Sequence, residues 1–68
     1  GSLRKKLYPI VLSQAMGASG DKLMVAGGDA QRVGGELVAR HEMLGLALIR
    51  EDAKTEKLTL NDAEIAIQ

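Results

Sequence analysis

His41 is the only imidazole in the chain, and imidazole is the side chain best suited to acid–base or metal chemistry near neutral pH. Either use needs company. A catalytic histidine needs a nucleophile and an orienting carboxylate, and a metal centre needs a cluster of further ligands. Neither is spaced to serve His41, which reads as a packed side chain, and Glu42 and Asp62 form no recognisable acid–base pair. The run GASGDK (17–22) could aim backbone N–H groups at an anion, but it lacks the phosphate-loop spacing and no strand is expected before it, so it reads as a plain turn. Met16, Met24 and Met43 read as core filler, and Arg4, Lys5 and Lys6 as solvated charge. With no cysteine there is neither a disulfide nor a thiolate metal site. The chain is therefore expected to hold no cofactor or metal and to catalyse nothing by itself.

The longest segment with helical periodicity runs from Asp29 to Asp52, DAQRVGGELVARHEMLGLALIRED. At 100° per residue, Ala30, Val33, Leu37, His41, Leu44, Ala47 and Leu48 form one stripe. Gly35, Val38, Ala39, Leu46, Ile49 and Ala53 form a second apolar arc, and only Arg32, Glu36 and Arg50 make a polar strip. A helix of such girth is buried on more than one side. Before it, Pro9 to about Met16 reads as a short helix, and residues 21–26 as one or two turns. After the polar connector 54–57, Thr59 and Asp62 have the layout of a capping box that opens a last helix. The expected fold is all-α: three main helices around the long central one, with a short extra helix. Gly34 and Gly35 stand within or just before the central helix and mark either its start or a close backbone approach.

Sixty-eight residues with equal basic and acidic counts make one marginal domain, with no basic face for nucleic acid and no apolar run long enough to span a bilayer. Gly1-Ser2 reads as an expression-tag remnant, and residues 3–68 as one helical domain cut from a longer, cytoplasmic protein.

AGGDAQR (26–32), then a helix, a polar connector and KLTLNDAEIAI (57–67), resemble the C-terminal helical lid of AAA+ ATPases. That resemblance implies a nucleotide-sensing arginine in the parent ATPase, for which Arg32 is the available residue, although it stands one place beyond the usual position. The same layout is similar to a histone fold, which implies a nucleic-acid-associated pairing protein. The expected function is a non-catalytic helical module for protein interaction or assembly, with the histone-fold reading as the alternative. Its expected partner is a protein, most simply a second copy packed along the central helix through Val38, Leu46 and Ile49, whose burial the short flanking helices cannot complete.

Overall fold

The computed structural model describes residues 4–27 and 32–68, and these form six strands and no helix. β1 (Lys5–Leu12) sends Tyr8, Ile10 and Leu12 inward and Leu7, Pro9 and Val11 outward, the two-residue period of a strand. β2 (Lys22–Val25) buries Leu23 and Val25, β3 (Arg32–His41) buries Gly35 and Leu37, and β4 (Leu44–Arg50) buries Ala47 and Ile49. β5 (Leu58–Leu60) and β6 (Ala63–Ile67) add Leu58, Leu60 and Ile65. The order β1-β4-β3-β2-β5-β6 closes on itself, and every pairing is antiparallel, so the sheet has no open edge.

Aliphatic side chains fill the lumen. Ile10, Leu23, Leu37, Ile49, Leu58 and Leu60 are fully enclosed, and no polar or charged residue is buried among the described residues. Loops stopper both mouths. At one, the β1–β2 loop lays Gly17 over the barrel, where a Cβ would come within 2.9 Å of Leu60 Cδ2 and 3.2 Å of Leu37 Cδ2. Arg40 Nε holds that loop by donating to the Gly17 carbonyl at 2.8 Å. At the other mouth, the β4–β5 loop tucks Ala53 against Gly34 beside Leu58 and Val25. Pro9 lies in β1, where its carbonyl accepts from the Gln68 N–H at 2.9 Å.

The all-α expectation is overturned at each element. Within the stretch 29–52, expected as the central helix, residues 32–50 form the β3–β4 hairpin, which turns at Glu42 with φ +55°. Asp29 and Ala30, its expected cap and first apolar residue, lie outside the described residues. Pro9 to Leu12 belongs to β1, and 22–25 to β2 rather than to a short extra helix. The supposed capping box at Thr59 and Asp62 is a second hairpin, whose two-residue turn Asn61-Asp62 has φ of +51° and +67°. The AAA+ lid and histone-fold layouts, both helical, fall with these elements. Their physical error lies in β4: LGLALI is apolar on both faces, so it shows no alternation and projects as an apolar stripe at any period.

Gly34 and Gly35 do mark a close approach, but in a strand. β2 pairs Leu23 with Gly35 and Met24 with Val33, so Gly34 is the extra residue of a bulge. A Cβ on Gly35 would run into the Leu48 carbonyl oxygen and stand 3.2 Å from Ile49 Cα, both backbone atoms of the neighbouring strand. Gly35→Ala is therefore expected to lower stability by about 1–3 kcal/mol through overpacking. The urea midpoint checks this. An unchanged or raised midpoint would place Gly35 in a position with room for a side chain.

Candidate functional site

A full lumen moves attention to the outside of the barrel, where apolar side chains are unevenly spread. β4 lies between β1 and β3, and its register sets Leu48 opposite Leu7, Leu46 opposite Pro9 and Leu44 opposite Val11. On the other side, Ala39 stands opposite Leu46 and His41 opposite Leu44. These outward positions form one continuous apolar face. Leu7 is 53% exposed, Leu44 55% and Leu46 40%. The β3–β4 register skips Val38, and this bulge leaves its side chain exposed beside Leu37 and Ala39. A shallow groove of about 370 Å³ runs through the face, with Pro9, Ala39, Leu44 and Leu46 among its walls and Arg40, His41 and Gln68 at its margin. Beyond Leu44 the hairpin end adds Met43, also exposed.

Polar clusters lie elsewhere on the barrel. Glu51 accepts from Tyr8 Oη at 3.0 Å and pairs with Lys6 at 3.1 Å and Lys54 at 3.3 Å. The Lys6 hydrogen bond, then that from Tyr8, holds the Glu51 carboxyl below its ordinary range, and the hydrogen bond to Glu51 raises the Lys54 ammonium. Lys22 lies 2.8 Å from Glu36 and lowers it in the same way. Asp21 is lowered first by the Ala18 N–H and then by Asn61, contacts that close the β1–β2 loop against the β5–β6 turn.

Of the residues singled out by sequence, Val38 and Leu46 are exposed on this face, whereas Ile49 is fully enclosed in the lumen and out of any partner's reach. Arg32 begins β3 and lies 3.9 Å from Asp52, which Arg50 also engages at 3.1 Å. Its sensing role was carried only by a lid resemblance that the barrel removes. His41 is exposed at the hairpin end, not packed. GASGDK is the loop that stoppers one mouth. Leu7 and Pro9 were not singled out as surface residues. The period-two pattern of LYPIVL, with Tyr8, Ile10 and Leu12 on one side, would have turned them outward.

A profile of the CAF17 C-terminal beta-barrel domain matches residues 4–68. The chain belongs to the CAF17 family. No curated protein and no solved structure matches it. Membership replaces the AAA+ lid and the histone fold as the setting in which the chain is read. It also removes the helical interaction module as its function: what CAF17 membership supports is a small β-barrel domain.

The Glu51 cluster gives the CAF17 barrel an acid-side signature. A carboxyl group depressed in the folded state contributes stability above its unfolded value, and loses that contribution as pH falls through the folded one. For Glu51 the loss begins below its ordinary value of 4.5. Glu51→Gln is expected to flatten the decline of stability with falling pH below that point. Urea midpoints over a pH series check it, and an acid limb as steep as that of the parent chain would contradict it.

Proposed function

We propose that the barrel is a non-catalytic domain of a CAF17-type protein engaged in iron–sulfur cluster assembly, and that its working surface is the apolar outer face of β1, β4 and β3. The observation that supports this is a filled lumen combined with an uncovered apolar exterior. Barrels that bind small molecules inside leave space between their strands for them. Here Ile10, Leu23, Leu37, Ile49, Leu58 and Leu60 occupy that space, so recognition falls to the outside.

The face has the anatomy of a contact surface. Its centre is leucine and proline, and Arg40, His41 and Gln68 stand at the margin of its groove. Completing the burial of one large aliphatic side chain is worth up to roughly 1.5–3 kcal/mol, so covering Leu7, Leu44 and Leu46, each about half exposed, is a substantial gain for a domain this small. Clusters are held by cysteine thiolates, and this chain has none. The barrel therefore contributes position, not ligands.

In a full-length CAF17-type protein carrying this barrel, Leu44→Glu with Leu46→Glu is expected to abolish most of the support it gives to iron–sulfur enzymes in cells that depend on it. Both side chains point away from the lumen, so the barrel itself is expected to fold. Glu56→Lys, in the polar β4–β5 loop, is the matched control and should leave that support intact. Full support from the double variant would remove the outer face from the function.

A further inference from the structure

We propose that residues 13–19 of the β1–β2 loop are a lid over one mouth of the barrel, that this lid opens while the strands stay paired, and that the Arg40 guanidinium is its clasp. The loop is fastened at its two roots by backbone bonds. Leu12 N–H donates to the Met43 carbonyl at 2.7 Å, and Gly20 N–H to the Leu37 carbonyl at 2.8 Å. Between the roots no residue is buried, and the backbone bonds are local, from Met16 N–H to the Gln14 carbonyl and from Asp21 N–H to the Ala18 carbonyl. A segment that buries so little of itself opens locally at low cost, well before the structure it rests on unfolds. What it covers is the opposite. Gly17 lies against Leu37 and Leu60, both fully enclosed, and brings no side chain of its own into the mouth.

Holding the lid shut therefore falls to side chains at the neighbouring turns. Arg40 donates from Nε to the Gly17 carbonyl at 2.8 Å and from a terminal nitrogen to the Glu42 carbonyl at 2.8 Å, so one guanidinium ties the lid to the β3–β4 turn. On the other side the Asp21 carboxylate accepts from the Ala18 N–H at 3.0 Å and from the Asn61 amide at 3.3 Å, a tie to the β5–β6 turn. Of the side-chain bonds, that from Arg40 alone reaches Gly17, where the lid touches the two leucines, and its donor is charged. Arg40 also stands at the margin of the outer groove, so the clasp lies within reach of anything seated there, but the lid itself needs no occupant of that groove.

The test is thiol labelling with iodoacetamide in the full-length CAF17-type chain, the label located by mass spectrometry, over urea concentrations below the unfolding transition. Leu60→Cys places the reporter under the lid, and Ile49→Cys places one in the lumen away from it; the 68 residues have no cysteine of their own. Leu37→Cys serves in place of Leu60→Cys if that variant does not fold. The thiol under the lid is expected to react at a rate that urea does not change, and the Ile49→Cys thiol more slowly, at a rate that climbs with urea as surface is exposed on unfolding. Adding Arg40→Met, which keeps the stem and removes the donors, should raise the rate under the lid roughly tenfold and leave it independent of urea. A thiol under the lid that reacts only as fast as Ile49→Cys, with the same climb, overturns the lid. A rate unmoved by Arg40→Met overturns the clasp.

Discussion

Six antiparallel strands closed on one another leave a lumen that Ile10, Leu23, Leu37, Ile49, Leu58 and Leu60 fill completely, and the rest of the molecule follows from that packing. Closure abolishes exposed sheet edges but brings β3 and β4 so near each other that Gly35 has to be without a side chain. The lack of large aromatics is consistent with the narrow barrel: Tyr8, the one aromatic residue, stands near its end, with its hydroxyl reaching Glu51 rather than the interior. Glycine and alanine at Gly34, Gly35, Ala47 and Ala53 make space for the leucines and isoleucines opposite them.

A lumen complete in itself leaves the outward side chains of β1, β4 and β3 without a structural duty. Leu7, Pro9, Leu44 and Leu46 do not hold the barrel together, yet they cost favourable burial by standing in water. Polar residues at these positions would be compatible with the same fold. Their apolar character is the feature that a covering surface explains.

Much of this was hidden in the sequence for one reason. A strand announces itself by alternation, and β4 has none, because the face turned outward is as apolar as the face turned inward. The surface that makes the barrel interesting is thus the one that disguised it as a helix. The β3–β4 turn gave no help, since Glu42 adopts positive φ where asparagine or glycine would have signalled a hairpin. At Asn61-Asp62 the signal was present, but Thr59 with Asp62 offered a capped helix start that fitted the same residues. Val38 and Leu46, two residues of the second arc, are exposed, but on strands. Of the glycine pair, Gly35 is a close backbone approach, against Leu48 and Ile49, while Gly34 meets the side chains of Leu58, Val25 and Ala53. Which members of the second arc face out depends on the strand period, and that is why Ile49 was placed on the wrong side.

The central claim is that the face of β1, β4 and β3 is covered in the working protein, and hydroxyl-radical footprinting of the full-length CAF17-type chain reads it residue by residue. Leu58, enclosed in the lumen, and the same leucines in the urea-unfolded chain supply the limits of protection and attack. Leu44 and Leu46 are expected to resist oxidation nearly as well as Leu58. Oxidation of both well above Leu58 would show the face open to water and would contradict the claim.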